Sequence, residues 1–434
     1  MRAILAVIVV SAGCLKAPVF HCATSDECGP GGTCAAGYCA FFDPMCADGE
    51  RYGERSGPYS GQCVGATTSD ANPGGPFTPS NGVDPTLAGE VAVPIAISGT
   101  ATFDTDTGAI TGAVVRAAGQ GVVADVGYHQ VGTLGVFVLH ALDVQSAGAL
   151  RFQGSRAVVL LVGTDATIDG TIDGSAGCYG ADPTCAGPGG GTGASGATAA
   201  TGCGAGGAGG TDPSENDGGG GGGGGGTPGA SGGAAGAGVV GGAGGGACLA
   251  ADLQPLVGGG GGGAGGPGSS TSPAQGGGGG GGLQLTALGA ITVGGTITMA
   301  GAGGPGGPTA SVNAGAGGGG GGGGGILLEA NSVTVTGTLA ANGGGGGSGG
   351  HAPDVGNPGE NGHADASPAR GGASVGSNGV GGNGAARSAS AQDGQTIVGN
   401  AGGGGGGVGV VHVRAHQAPS LTGTVSPAAT TAIF

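Results

Sequence analysis

Short apolar runs, alternating with polar positions, recur in one arrangement along the chain. Four stretches share it, at 157–177, 282–304, 325–346 and 409–428. Each opens with an apolar run, continues with a second one, and reaches a Gly-Thr step before a third run. The third run begins with Ile172, Ile297, Leu339 or Val425. Apolar residues two positions apart are typical of a strand with one buried face, so each stretch predicts three short strands separated by turns.

A unit of three strands that recurs as a whole predicts stacked coils, because one coil cannot bury its own apolar face. We therefore expect an all-β fold with irregular parallel β-helix-like coils. A degenerate further copy lies at 136–154. An antiparallel sandwich of similar strands is the alternative.

Glycine dominates the sequence between these units. The chain of 434 residues contains 122 glycines and no tryptophan, whereas glycine usually makes up about 7% of a protein. Glycine is unfavourable in helix interiors, so we expect almost no helix outside the leader. The glycine-rich stretches become long excursions between coils, near 174–281, 300–324 and 342–407. They are either disordered or packed as polyproline II strands whose bare backbones hydrogen-bond to one another.

The charge of the chain excludes several classes of function. The net charge is -16, and Lys16 is the only lysine. A chain so poor in cations cannot neutralise many phosphates, so we expect no nucleic-acid partner. A phosphate-binding loop of the Walker type needs a lysine after its glycines. The position of Lys16 near the leader therefore argues against nucleotide hydrolysis of that type.

Residues 1–13 have the anatomy of an export signal. Arg2 precedes a short apolar run from Ala3 to Ala12, which is too short to span a bilayer. The run ends in small residues before Cys14, a pattern similar to the lipobox of bacterial lipoproteins, although Ser11 stands where leucine is usual. We expect lipidation of Cys14 and thus a membrane partner through an N-terminal lipid anchor. A plain secretory signal is the alternative.

The cysteines predict a disulfide framework. The chain has 11 cysteines, an odd count that leaves ten if Cys14 carries the lipid. Six of the ten lie within about fifty residues, and no C-x2-C pair is present, so disulfides are favoured over zinc. We expect disulfides at Cys22, Cys28, Cys34, Cys39, Cys46, Cys63, Cys178, Cys185, Cys203 and Cys248.

Four regions follow from these patterns. A lipoprotein signal peptide occupies 1–13, and a small disulfide-rich N-terminal module occupies 14–63. A flexible linker rich in Thr, Ser, Asn, Pro and Gly covers 64–88. The glycine-rich β-helix-like repeat domain covers 89–434.

Ionisable residues form two groups that could carry chemistry. Asp165, Asp169 and Asp173 recur every four residues in the first clear unit. Clustered acids could act on a polysaccharide, but positions four apart on a strand are separated by about 13 Å, which favours solvent-facing turns.

The second group lies in the third excursion. It comprises His351, Asp354, Glu360, His363 and Asp365. The residue types suit a transition metal, but the spacing lacks an HExxH motif. His412 and His416 lie too far apart on a strand to share an ion. We expect no metal site, no cofactor and no catalytic residue.

Cys14 after its run of small residues, the cysteine-rich module and runs such as TLAANGGGG together resemble the glycine-rich (PGRS-like) surface lipoproteins of Gram-negative soil bacteria. The resemblance implies location at the outer membrane or cell surface. We expect a structural or adhesive lipoprotein without catalytic activity, with extracellular polysaccharide or other surface proteins as candidate partners. A β-helix carbohydrate-binding or polysaccharide-degrading protein, or a metal-binding surface protein, is the alternative.

Overall fold

The computed structural model describes most of the chain from residue 20 onward. The described residues are 20–35, 37–43, 46, 49–53, 55–56, 63–64, 77–180, 182–212, 216–269, 272–310 and 313–434. The chain divides into two compact units, Met1–Pro76 and Phe77–Phe434. Cys14 and residues 65–76 of the expected linker lie outside the described residues.

The first unit contains a short 3-10 helix, Ser25–Cys28, and one antiparallel sheet. The strands of this sheet are β1 (Gly32–Ala35), β2 (Tyr38–Phe42) and β3 (Glu50–Tyr52). Three disulfides join Cys22 to Cys34, Cys28 to Cys39 and Cys46 to Cys63. A unit this small has little apolar core, and cross-links are the usual way to stabilise such a domain. The disulfide-rich N-terminal region is therefore present.

The second unit is built from short strands. They are β4 (Ile95–Ile97), β5 (Thr100–Asp104), β6 (Ile110–Gly112), β7 (Gly121–Val123), β8 (Val126–Val131), β9 (Leu134–Leu139), β10 (Leu142–Val144), β11 (Ala149–Gln153), β12 (Ala157–Val162), β13 (Ala166–Ile168), β14 (Thr171–Asp173), β15 (Gly282–Val293), β16 (Thr296–Thr298), β17 (Thr309–Ala310), β18 (Asn313–Ala314), β19 (Gly325–Val335), β20 (Thr338–Ala340), β21 (Val410–Ala415), β22 (Ser420–Leu421), β23 (Thr424–Ser426) and β24 (Thr430–Ile433). Its 3-10 helices are Ser80–Gly82, Pro85–Glu90, Cys178–Gly180 and Gly236–Gly238.

Successive stretches of the chain pair in parallel and in register along three ladders. One ladder runs through β9, β12, β15, β19 and β21. A second runs from β4 through β10 and β13 to the later halves of β15 and β19. The third runs through β5, β11, β14, β16, β20 and β23. Strands make up 30% of the residues and helix only 5%, which confirms the predicted all-β class.

The Gly-Thr steps of the four sequence units meet in the third ladder. Thr171, Thr296, Thr338 and Thr424 are consecutive partners. The next residues, Ile172, Ile297 and Leu339, are fully buried between the ladders. Burying such an aliphatic side chain contributes roughly 1.5–3 kcal/mol, so this column is a main source of stability.

The beginning of the second unit departs from parallel pairing. β5 pairs with β6 antiparallel, and β7, β8 and β9 form an antiparallel meander. The apolar pattern of the sequence did not predict these hairpins. Asp104-Thr105-Asp106-Thr107-Gly108, which resembles the start of a calcium loop, is the connection between β5 and β6. Turn residues of this kind favour a hairpin.

A second apolar layer covers the outer face of the first ladder. β12 is buried on both faces, which explains its continuous apolar sequence. Leu249, Leu253 and Leu256 pack on this face together with Val83 and Ala88. Residues 77–88, which the sequence analysis assigned to the linker, thus lie within the second unit.

The glycine-rich segments between 187 and 409 lie side by side and hydrogen-bond through their backbones; we call this region the glycine bundle. In segment 218–226, every third amide donates to the same neighbour. Gly218, Gly221 and Gly224 donate to carbonyls of 204–210. The other two sets of amides donate to carbonyls of segments 227–233 and 317–320. The carbonyls of this segment accept from amides of three further segments, 242–248, 260–266 and 401–407. Six neighbours and a period of three match the three residues per turn of the polyproline II helix.

At many interior positions of the glycine bundle, only glycine fits. A Cβ atom added to Gly222 would lie 2.0 Å from the carbonyl oxygen of Gly405, and one added to Gly320 would lie 2.2 Å from that of Gly344. The backbones therefore approach as closely as the absence of a side chain allows. The disulfide Cys203–Cys248 joins two outer segments, and Cys178–Cys185 closes a loop ahead of the bundle. All ten cysteines of the described residues are thus paired.

Candidate functional site

Most turns of the glycine bundle gather at one end. Gly218, the first residue of its segment, hydrogen-bonds to both Gly210 and Gly266. Gly210 is the last residue before one turn of the bundle, and Gly266 is the last residue before another. Ala401 donates to the carbonyl of Asp217 at the same level. The opposite ends of three segments continue directly as β15, β19 and β21. The bundle therefore presents its turns away from the strand ladders.

Two buried asparagines hold several of these turns together. Asn400 donates from Nδ2 to the carbonyl of Gly350 at 3.1 Å, and its Oδ1 accepts from the amide of Asp217 at 3.3 Å. Asn378 donates to the same Gly350 carbonyl, and its Oδ1 accepts from the amide of Asn400 at 3.3 Å. Both side chains are nearly inaccessible to solvent. They fix the ends of segments that are distant in sequence.

Four of the turns at this end form what we call the turn-end surface, comprising 235–240, 351–355, 374–377 and 397–399. Three of its valines are strongly exposed: Val240 at 70%, Val355 at 60% and Val398 at 82%. His351 and Asp354 are its only ionisable residues. Loops held on a rigid scaffold commonly carry binding functions. Exposed apolar groups on such loops favour contact with a partner or a surface.

The structure does not bring together the second group of ionisable residues, which was considered as a candidate metal site. Nε2 of His363 lies 3.2 Å from Oε2 of Glu360, but His351 belongs to a separate turn, where it faces Gly376 and Asn378. Within the described ranges, the one group of His, Cys, Asp and Glu ligand atoms close enough to share an ion is Cys22, Cys28 and Cys39. Their sulfur atoms are already bonded in disulfides, whereas a metal requires a thiolate.

The three aspartates of the repeat at 157–177 occupy turns and strand ends. Oδ1 of Asp165 accepts the amide of Ala290 at 2.7 Å, and Oδ1 of Asp173 accepts that of Ser175 at 3.0 Å. Asp169 lies in the turn between β13 and β14. These bonds stabilise the local backbone, and no contact between the three carboxylates is present in this described stretch.

A buried polar cluster on the outer face of the first ladder was not predicted. Glu329, with no exposed side-chain area, lies 2.6 Å from Nη1 of Arg414. Its carboxylate also accepts from the amide of Ser80 at 3.1–3.2 Å and from Nε2 of Gln284 at 2.9 Å. The guanidinium of Arg414 stands 4.5 Å from the ring centre of Phe434. This cluster attaches the segment after Phe77 to the sheet. The signal in the sequence for this cluster was Glu329, the only ionisable residue in the apolar repeat at 325–346.

His412 and His416 lie on or just beyond β21 and make different contacts. Nδ1 of His412 is 2.6 Å from Oγ1 of Thr430, whereas the ring of His416 packs 4.8 Å from that of Phe434. Burial lowers the pKa of His412 below its ordinary value of 6.5, and nearby Asp252 and Glu329 oppose this effect. The folded protein therefore favours the neutral imidazole.

This depressed pKa predicts a stability that falls in mild acid. The unfolded chain takes up a proton at position 412 below about pH 6.5, while the folded protein resists it, so stability is lost as the pH falls through this range. Urea midpoints measured between pH 7.5 and 5 should decrease more in the wild type than in His412→Gln. Equal slopes for the two proteins would contradict the prediction.

No helix among the described ranges is both long and apolar enough to cross a membrane. Comparisons with protein-family models, curated proteins and solved structures found no match.

Proposed function

We propose that this protein is a cell-surface structural or adhesive lipoprotein without catalytic activity. The observation that carries the proposal is the turn-end surface, a set of turns fixed on a hydrogen-bonded backbone scaffold and displaying exposed valines. Such an arrangement suits contact with a surface or a partner. The resemblance to glycine-rich surface lipoproteins and the small disulfide-stabilised unit, typical of exported proteins, give independent support.

We infer that the strand ladders are coils of a parallel β-helix and that the glycine segments are polyproline II excursions from it. The parallel register of successive stretches supports the first inference. The three-residue period of the backbone hydrogen bonds supports the second. In this arrangement the coils supply a conventional apolar core, and the excursions supply a scaffold that needs hardly any side chains.

The anchor at Cys14 is the first test of location. Two or more acyl chains attach a protein stably to a membrane, whereas a single chain binds only marginally. If Cys14 carries two or more chains, the protein should stay in the membrane fraction. Cys14→Ala should release it into soluble fractions and remove the acyl mass from the N-terminal peptide. Mass spectrometry of that peptide, together with fractionation, checks the result. A wild-type protein that carries no acyl mass would contradict it.

The turn-end surface provides the test of adhesion. We expect cells that display the protein to be retained under flow on methyl-terminated glass. Changing Val240, Val355 and Val398 together to Asp should reduce retention several-fold, because charged groups resist loss of water. Val115, also 70% exposed but located between β6 and β7, is the control position.

The Val115→Asp variant should be retained like the wild type. Equal loss in both variants would show that general charge, rather than the turn-end surface, controls retention. Retention of the triple variant at the wild-type level would rule out the proposed surface. Amounts of displayed protein are compared with an antibody against the first unit.

A further inference from the structure

A groove along one side of the glycine bundle is lined almost entirely by backbone and proline. Its volume is about 400 Å³. Segment 299–308 contributes one wall, segment 356–363 another, and the loop after Gly177 a third. The lining includes Gly303, Pro305, Gly306, Pro358, Pro183 and Asn361. No acidic or basic side chain lines it, although the chain carries a net charge of -16.

The groove continues a row of the bundle that the chain itself occupies only in part. The backbone groups of segment 299–308 repeat every three residues and so form three sets. Gly301, Gly304 and Gly307 donate to 342–348 and accept from 356–362, and Ala302 donates to Gly278. The remaining set is at Ala300, Gly303 and Gly306, and the last two of these residues line the groove.

Bonding of this remaining set decreases along the row. At Ala300, the amide donates to Oγ of Ser175 at 3.1 Å and the carbonyl accepts from the amide of Ala176 at 2.9 Å. At Gly303, the amide donates to Oδ1 of Asn361 at 2.8 Å. At Gly306, neither amide nor carbonyl has a hydrogen-bond partner among the described residues. Ser175 and Ala176 therefore occupy the row beside Ala300. Beside Gly306, beyond the loop closed by Cys178–Cys185, the row is vacant.

We propose that this groove binds an extended, uncharged peptide in the polyproline II conformation with glycine at every third position. The close packing within the bundle is the reason for expecting glycine at every third position. Neighbouring segments approach so closely that a Cβ atom on Gly306 would lie 1.9 Å from the carbonyl oxygen of Gly356. A guest that fills the vacant row at the same spacing needs glycine where it meets the wall, as at the collagen axis.

The other positions of the guest favour proline. A proline-rich chain adopts the required conformation before binding, so it loses less entropy on docking. Three prolines of the groove wall offer apolar contact, and the neutral lining provides no charge to attract an ionic peptide. From Gly303 to Gly306 the row spans about 9 Å, one turn at about 3.1 Å per residue. The amide of a guest glycine donates to the Gly306 carbonyl.

The inference does not depend on lipidation or adhesion, so it is tested on purified full-length protein. The probe is a labelled nine-residue peptide of three Pro-Pro-Gly repeats, followed by fluorescence anisotropy. A Gly-Ser peptide of equal length lacks the conformation, and nonaproline lacks the glycine. We expect the repeat peptide to bind at least about tenfold more tightly than either, a difference of about 1.4 kcal/mol.

A matched pair of variants locates the site. Val355 lines the groove and Val398 does not, and both are exposed turn residues. Val355→Trp should block the groove and weaken binding about tenfold, again about 1.4 kcal/mol, whereas Val398→Trp should bind like the wild type. In the wild-type protein, the peptide should slow amide hydrogen exchange in the segment containing Gly306.

Any of three results would overturn the proposal. These are no binding of the repeat peptide at millimolar concentration, equal binding of the Gly-Ser peptide, and equal weakening by the two tryptophan variants. The exchange measurement uses the wild type, so it remains decisive if Val355→Trp does not fold.

Discussion

Gly222→Ala should prevent the glycine bundle from folding or destabilise it by about 3 kcal/mol or more, at the upper end of overpacking effects. The new methyl group would meet the Gly405 carbonyl at 2.0 Å. Backbone atoms on the opposite segment cannot rotate away as a side chain would. A shift of the segment would also strain the bonds from Gly222 to Ala230 and from Gly245 to Gly222, each contributing about 1 kcal/mol.

Gly246 provides a control in the same bundle. It is exposed, and a Cβ atom there meets nothing within 4 Å. Gly246→Ala should therefore stabilise the protein by about 0.4–1 kcal/mol, because alanine restricts the unfolded chain. Urea unfolding with amide hydrogen exchange over 218–226 measures both effects. If Gly222→Ala has an unfolding midpoint close to that of the wild type, the close packing of backbones is not what holds the bundle together.

Arg414→Met should cost about 3–5 kcal/mol of unfolding free energy, because it leaves a buried carboxylate without its cation. Glu329 has no exposed side-chain area and lies 2.6 Å from Arg414. Its remaining partners, Ser80, Gln284 and Thr286, donate hydrogen bonds but carry no charge. We expect the segment after Phe77 to detach first, which proteolysis near residue 90 would reveal.

Two comparisons isolate the buried charge. Arg156→Met breaks a partly exposed pair with Asp106, 3.8 Å away, so that pair should contribute no more than about 1 kcal/mol. The double variant Glu329→Gln with Arg414→Met removes the buried charge and should be more stable than Arg414→Met alone. If Arg414→Met and Arg156→Met were equally mild, the cluster around Glu329 would have no special role in attaching the segment.

The strand ladders were predictable because apolar side chains mark them. The continuous run of β12 and the alternation in β15 and β19 identify their strands, and the Gly-Thr steps fix the register in which Thr171, Thr296 and Thr338 meet. The antiparallel hairpins near the start of the second unit were missed, because β5 to β8 lie outside the recurring three-strand stretches that the apolar pattern identified.

The glycine bundle and its turn-end surface were harder to predict. A run such as 218–226 is all glycine, so it has no pattern of apolar and polar side chains. Nothing in its sequence therefore indicates which of its faces meets which of its six neighbours. The signal that exists lies in outer segments, where Gly356, Gly359 and Gly362 donate inward and the intervening residues carry side chains. Turns that gather through Asn378 and Asn400 are distant in sequence, and no local pattern links them.

The three-residue period of the glycine bundle also constrains how its gene can change length. One residue inserted into an interior segment rotates everything beyond it by about 120°, a third of a polyproline II turn. Each later amide would then point at the wrong neighbour. Three inserted residues restore the direction of every donor and lengthen the segment by about 9 Å, at about 3.1 Å per residue. Insertions and deletions tolerated in these segments should therefore come in multiples of nine nucleotides, a stricter rule than the reading frame imposes.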